Sequence, residues 1–213
     1  VVELVCFDWG GVLLRICRTW EDAIRRAGLP LRPPAADPVL AERRSRIALL
    51  FQTGRIGPQE FFEGVAAHTA GCYTAEEVAR VHDAWLCEEY PGVADLIDRL
   101  GGRVRTALLS NTNPIHYARG TGVNGSAPEF PTVSRLHARY ASHLLGLAKP
   151  DEAIYHRVAE LERIEPSRIL FFDDTPDNVA AARRCGWRAE QVDHAGDTAE
   201  QMARFLRAHG VEC

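Results

Sequence analysis

Lysine is almost missing from this sequence. Of its 25 basic residues one, Lys149, is a lysine and the others are arginines. A coding bias toward Arg accounts for the arginines, and it leaves the question of what a compact ammonium does at the one position where it is kept. A basic excess is missing too: the 213 residues carry a formal net charge of -4, which excludes the broad positive field that gathers nucleic acid phosphates or anionic membranes. Unbroken apolar runs are only a few residues long, against the roughly 20 needed to cross a bilayer. The first residues also lack the charged, apolar and small-residue succession of a signal peptide. The expectation is a cytoplasmic protein with a small-molecule partner, no nucleic acid and no membrane. Six cysteines are present, but no CxxC pair and no His at zinc-finger spacing. They read as thiols in a reducing compartment, with Cys6 in the core.

What is present is apolar residue in quantity. At 46% of the chain it suffices for a substantial core, as one large domain or a main domain with a smaller companion. Three short runs rich in Val, Leu, Ile or Phe read as strands covered on both faces: VELVCF before Asp8, RVRTALLS ending at Ser110, and SRILFFDD ending at Asp173 and Asp174. Helical patterns lie between and after them. GVADLIDRL (92–100) stops at Gly101 and Gly102, and DEAIYHRVAELER (151–163) puts Ile154, Val158 and Leu161 on one face. In TPDNVAAARRCG, Thr175 stands as N-cap, Pro176 at the first helical position, Asp177 in the first turn and Gly186 as terminator. Strands alternating with helices predict a parallel sheet in a doubly wound α/β fold, whose ligands gather at the carboxyl ends of strands.

Residues 15–90 have a different pattern. They show no convincing strand but helical stretches near 18–28, 37–52, 58–69 and 75–88, punctuated by LPLRPP, TGRIG and AGCYT. The expected organisation is a core of residues 1–14 and 91–213 with a helical insertion between. GTGVNGSAPEFP (120–131) reads as a surface loop.

The strand ends carry the chemistry. Asp8, Asp173 and Asp174 bring three carboxylates to one edge of a sheet, where repulsion and burial disfavour ionising all three unless a cation sits among them; a hard divalent ion such as Mg²⁺ resolves this. Ser110 and Asn111 offer a hydroxyl, an amide and backbone N–H groups suited to phosphate oxygens, and Lys149 adds a positive charge. An acid nucleophile, a metal and a phosphate cradle together point to phosphoryl chemistry.

In chain order FDWGGVL, LLSNTN, LGLAKPDEAIY and ILFFDDTPDNVAAARRCG resemble the four motifs of the haloacid-dehalogenase-like phosphohydrolases. The insertion after the first motif resembles that family's small helical cap, and GRIGPQEFF within it resembles a stretch common in such caps. The nearest likeness is to the bacterial sugar-1-phosphatase branch, which also has Gly at the position of Gly10. The resemblance implies Asp8 as nucleophile carrying an aspartyl phosphate. It implies Mg²⁺ held by Asp8, Asp174 and the Gly10 carbonyl, with Asp173 as ligand or Lys149 partner. It further implies phosphate held by Ser110 and Asn111, charge neutralised by Lys149, and Asn178 as an orienting residue.

One position departs from the pattern. Family phosphatases usually carry Asp two residues after the nucleophile, as the acid that protonates the leaving group; Gly10 has no side chain. Loss of a general acid costs about 10² to 10⁴ in rate, roughly 3 to 5 kcal/mol of barrier. A good leaving group relieves the need, which favours a sugar 1-phosphate among small phosphorylated metabolites. His116 is a candidate proton carrier or a loop-capping residue, and Trp9 lines the substrate pocket or packs under the cap. Trp20, Arg43, Arg44, Arg46 and Phe51 shape specificity or serve as helix surface and core. Two other functions stay open: a 2-haloacid dehalogenase, which the acidic pair disfavours, and a catalytically weak relative that binds a phosphorylated ligand or a protein.

Overall fold

The computed structural model describes residues 1–32, 37–122 and 126–213. Parts of the expected loops LPLRPP and GTGVNGSAPEFP lie outside the described residues. Along the chain come β1 (Leu4–Phe7), β2 (Leu14–Ile16), α1 (Trp20–Arg26), α2 (Pro38–Gln52), α3 (Pro58–Ala67), α4 (Ala75–Asp83), β3 (Leu86–Glu89), α5 (Val93–Leu100), β4 (Arg105–Ser110) and α6 (Pro114–Thr121). They are followed by β5 (Ala138–Ala141), α7 (Ser142–Leu145), α8 (Glu152–Glu162), β6 (Ile169–Asp173), α9 (Pro176–Arg184), β7 (Arg188–Gln191) and α10 (Thr198–Ala208).

Five strands form one parallel sheet in the order β5-β4-β1-β6-β7. Alternation along the central strands decides which layer each side chain meets. Val5, Phe7, Leu108 and Phe172 pack with α5 and α10, whereas Leu4, Cys6, Leu109 and Phe171 pack with α8 and α9. The sheet is thus covered on both faces, as a doubly wound α/β fold requires. The chain leaves β1 for β4 on one side and later reaches β6 on the other, so a crevice opens at the carboxyl end of β1.

Two edge strands escape the sequence reading. ARYA and RAEQ are four residues each, with arginines and a glutamine where buried strands carry aliphatics, because each borders only one neighbour. Residues 15–90 also contain a strand that composition hides. The expected helix at 75–88 stops at Asp83; β3 then pairs antiparallel with β2, Leu14 opposite Glu89 and Ile16 opposite Leu86. This ribbon joins the entry and exit of the four-helix insertion, whose buried residues, among them Ile24, Phe51, Phe61 and Val78, form an apolar cluster of their own. Two local expectations change as well. Leu161 is 43% exposed, since the packed stripe of α8 runs through Ile154, Tyr155, Val158 and Ala159 toward the Glu162 side chain. Thr175 occupies the N-cap position of α9, but its side chain makes no capping bond.

Trp9 follows the nucleophile candidate and is 3% exposed, its ring edge-on to Phe130. It lies against α6 so closely that a Cβ on Gly120 would stand 2.7 Å from the indole. The joint between insertion and core includes a pair of histidines. His82, near the end of α4, stacks on His116 of α6 at 3.8 Å between ring centroids, and His116 Nε2 bonds to the His82 carbonyl at 2.8 Å. Burial pushes the His116 ring down to about 4.

Two predictions test these contacts. In Gly120→Ala the better helix propensity, about 1 kcal/mol, is outweighed by an overpacking cost of about 1 to 3 kcal/mol. Urea unfolding should therefore show a less stable protein, while Gly102→Ala, which meets only open space, should be neutral or slightly stabilising. For His116, both folded and unfolded states are unprotonated above pH 6.5. Between there and about pH 4 only the unfolded chain takes the proton, so acidification favours unfolding over that window and no further below it. The share of His116 in the difference between pH 7 and pH 4.5 is about 2 to 3 kcal/mol. His116→Gln should remove that share; an unchanged pH dependence of urea unfolding would show that the ring is not its source.

Candidate active site

The carboxyl edge of the sheet gathers the polar strand ends. Asp8 follows β1, Ser110 ends β4 and Asp173 ends β6. Because Phe7 is in register with Phe172, the next residues, Asp8 and Asp173, come side by side, and the Asp8 N–H donates to the Phe172 carbonyl at 2.8 Å. Between their carboxylates stands the Lys149 ammonium, 2.9 Å from Asp8 Oδ1 and 2.6 Å from Asp173 Oδ2. The Trp9 N–H also donates to Asp8 Oδ1, at 2.7 Å. Burial works against the charged lysine, but Asp173 and Asp8 outweigh it and hold Lys149 above its ordinary value. Asp8 is pushed up to about 7: burial raises it most, Lys149 opposes, and Asp173 and Asp174 add to the rise.

Asp173 has its oxygens filled. Oδ1 accepts from the Thr175 N–H at 2.8 Å and from Asn178 Nδ2 at 3.0 Å; Oδ2 accepts from Lys149 Nζ and from Asn178 Nδ2 at 3.1 Å. Three donor groups in four hydrogen bonds thus hold this carboxylate, and of the two roles expected for Asp173, metal ligand or Lys149 partner, these bonds favour the second. Asn178, one helical turn on, holds Asp173 in place. Asp174 has fewer donors on it but is ion-paired. Its Oδ2 lies 2.6 Å from Arg18 Nη1 and 3.6 Å from His194 Nδ1. One oxygen each of Asp8, Asp173 and Asp174 lie within 4.8 Å of one another.

Sequence reasoning missed two residues here. Arg18, just past β2, supplies the countercharge for Asp174. Gly11 has φ of +83°, and a Cβ there would come within 2.5 Å of both Arg18 and the Asp174 carboxyl group. The second Gly of FDWGGVL was therefore a legible signal: backbone must pass close to a functional carboxylate.

In LLSNTN each polar side chain has its own task. Ser110 is 3% exposed and lines the cavity described below. Asn111 does not turn its carboxamide toward a ligand: its Nδ2 donates to the Lys149 carbonyl at 2.8 Å and its Oδ1 accepts the Lys149 N–H at 2.9 Å. Its carboxamide is therefore engaged with Lys149 and not with the cavity. Thr112 is pinned by Ser142, which accepts its N–H and donates to its carbonyl, both at 2.9 Å. Asn113 caps α6 by accepting from the Ile115 and His116 N–H groups at 3.1 Å.

Gly10, Ser110 and Asn111 form one end of a cavity of about 370 Å³ between the sheet edge and the inserted helices. Of the residues expected to shape specificity, Trp20, Arg44 and Phe51 line it, as does Trp9. Arg43 and Arg46 are exposed on α2, where Arg46 pairs with Glu42. His116 also lines the cavity, but burial and its bonds to Asn113 and His82 make it a wall residue, uncharged near neutral pH, rather than a proton carrier.

Known proteins resemble this chain along most of its length. The family model of the haloacid dehalogenase-like hydrolases matches residues 2–186. A phosphatase of Mycobacterium tuberculosis, MT3486, is 28% identical over 220 residues, covering 99% of this chain and 96% of its own. The D-ribitol-5-phosphate phosphatase of Bacteroides thetaiotaomicron is 24% identical over 98% of this chain and the whole of its own. Among solved structures, a wild-type enzyme of this family from Bacteroides thetaiotaomicron, in complex with magnesium and inorganic phosphate, superposes with a TM-score of 0.74 at 23% identity, covering 94% of this chain and 99% of that one. With its motifs, fold and family match in agreement, the chain belongs to the haloacid dehalogenase-like hydrolases.

Proposed function

We propose that the protein is a magnesium-dependent phosphomonoesterase acting on a small phosphorylated metabolite through an aspartyl-phosphate intermediate on Asp8. The observation that carries this reading is the buried Asp8–Lys149–Asp173 cluster with Asp174 beside it; the residues that follow Asp8 in the chain, Trp9 and Gly10, line a cavity that Ser110 and Asn111 also border. The two relatives named as phosphatases, and the magnesium and phosphate bound by the Bacteroides enzyme, support it.

The donor set fits a hard cation. Among the described residues the three carboxylates face two close fixed cations, Lys149 and Arg18, and the donors they offer are oxygens. Asp8, Asp174 and the Gly10 carbonyl would hold Mg²⁺, which when bound offsets negative charge on the phosphoryl oxygens. The rest is done by the chain. An Asp8 oxygen attacks phosphorus, the bond from phosphorus to the leaving oxygen breaks, and its electron pair goes to that oxygen. A water oxygen then attacks the same phosphorus, the bond to Asp8 breaks, and phosphate departs. The Ser110 hydroxyl and the Asn111 N–H hold phosphoryl oxygens, and Lys149 keeps Asp8 oriented and its charge compensated. Residues 15–90 act as the cap that excludes water over the core of residues 1–14 and 91–213.

No acid stands at Gly10, so the leaving oxygen departs with little help and substrates with stable leaving anions are favoured. A sugar 1-phosphate is the carbohydrate of that kind. Haloacid dehalogenation is the second reading only in sharing the Asp attack; that chemistry needs no metal, so the acidic pair Asp173 and Asp174 beside Asp8 disfavours it.

With p-nitrophenyl phosphate and Mg²⁺, the protein should turn over and Asp8→Asn should not; a clean protein without Asp8-dependent turnover would be a binding protein. In Gly10→Asp, a Cβ would meet the Ile16 Cδ1 methyl at 2.8 Å, the mobile tip of a side chain. Restoring the acid should raise kcat for alkyl phosphates by about 10²-fold and leave p-nitrophenyl phosphate, whose leaving group needs no proton, within a few-fold of wild type. Equal gains on both would remove the leaving-group argument.

A further inference from the structure

The cavity says more about the leaving group than the missing acid does. It begins at Gly10, Ser110 and Asn111, beside the nucleophile, so whatever extends beyond the phosphoryl group enters its remainder. That remainder is walled by Trp9, Ile16, Trp20, Phe51, Phe61 and Trp85, and among the described residues no carboxylate lines it. Several of its polar members are engaged elsewhere: Asn113 caps α6, Asn111 clamps Lys149, His116 bonds to the His82 carbonyl, and Arg44 donates to the His68 carbonyl at 3.0 Å. Trp20 Nε1 and His82 Nε2 are buried there without a hydrogen-bond partner among the described residues, and Gln52 also lines the space. A polyol placed here would strip more hydroxyls of water than these few groups can pair, whereas a flat aromatic group gains on the six large apolar walls and can spare one substituent for them. At about 370 Å³ the space lies near the lower end of ligand pockets and suits one or two rings.

Resting on the phosphomonoesterase reading, we infer that the substrate is a small aryl phosphate monoester whose arene fills the cavity and whose phenolate is the leaving group. Two independent features meet in this substrate class. The walls accept an arene. Gly10 leaves the departing oxygen unprotonated, which a phenol, with a pKa of about 10 like the tyrosine side chain, tolerates far better than an alkoxide, the anion of a much weaker acid comparable with water.

The experiment measures kcat/KM on the whole chain with Mg²⁺ and separates pocket from leaving group. 2-Phenylethyl phosphate and D-ribitol 5-phosphate both release primary alkoxides; the aryl-bearing ester should be better by about tenfold or more. 1-Naphthyl phosphate should exceed both phenyl phosphate and glucose 1-phosphate. Ala48→Leu, which lengthens a side chain lining the cavity, should cut the preference for 1-naphthyl over phenyl phosphate by about tenfold. As a readout without turnover, 1-naphthylmethylphosphonate should change the fluorescence of the tryptophans lining the cavity and saturate. Ribitol or glucose phosphates matching the aryl esters, while p-nitrophenyl phosphate is hydrolysed in an Asp8-dependent way, would overturn the aryl assignment and leave the phosphatase reading standing. No Asp8-dependent turnover of any ester would overturn both.

Discussion

One buried ammonium organises this protein. The Lys149 side chain is 1% exposed, and its charge is answered by Asp8 at 2.9 Å and Asp173 at 2.6 Å. A buried ion pair adds little net stability because desolvation consumes most of its attraction. Losing one member is another matter: an uncompensated buried charge costs about 3 to 5 kcal/mol. The arrangement is therefore held by every element around it. The parallel register of β1 and β6 sets the two aspartates side by side, Asn111 fixes the Lys149 backbone, and Thr175 and Asn178 fill what remains of Asp173. Lys149 Nζ also lies 5.2 Å from the centroid of the Phe171 ring. A guanidinium would bring five donors in a planar fork into a space that offers two carboxylate oxygens and an aromatic face. That is a physical reason for lysine at this one position in a chain that otherwise uses arginine.

The same constraint divides labour between adjacent acids. Asp173 and Asp174 are neighbours in sequence but face different surroundings, because successive side chains at a strand end point to opposite sides. Asp173 turns inward to the lysine and its side chain is fully buried; Asp174 turns outward to Arg18, against the backbone of Gly11. One acid fixes the machinery and the other is ion-paired beside it.

Much of this was legible in the sequence, and what was not has physical causes. The central strands stood out because both of their faces are buried, and their final residues marked the site. Edge strands and the ribbon of β2 and β3 did not, since a strand with one neighbour carries no unbroken apolar signature. The polar residues Ser110, Asp8, Asp174 and Lys149 could be picked by type. The role of Asn111 could not: a carboxamide that bonds both the N–H and the carbonyl of a residue 38 positions away depends on tertiary closure alone. Arg18 was one arginine among many until the fold set it on Asp174. The cavity walls come from α1, α2, α3 and the segment before β3, where Trp20, Phe51, Phe61 and Trp85 look like ordinary amphipathic packing.

Gly10 and those walls are better understood together than apart. A carboxyl group at position 10 would extend toward Ile16, into a cavity whose other nearby walls include Trp9 and Leu14. In such surroundings an acid holds its proton, because burial disfavours the anion. The anion left after each proton transfer could not turn to the lysine, which is already shared by Asp8 and Asp173. An acid at this position therefore helps an alkoxide to leave, but at a cost to an apolar leaving-group chamber. A chain that keeps the chamber apolar does best without the acid, provided that its substrate releases an anion stable enough to depart alone. On this view the glycine is the counterpart of the aromatic walls rather than a defect in the nucleophile motif.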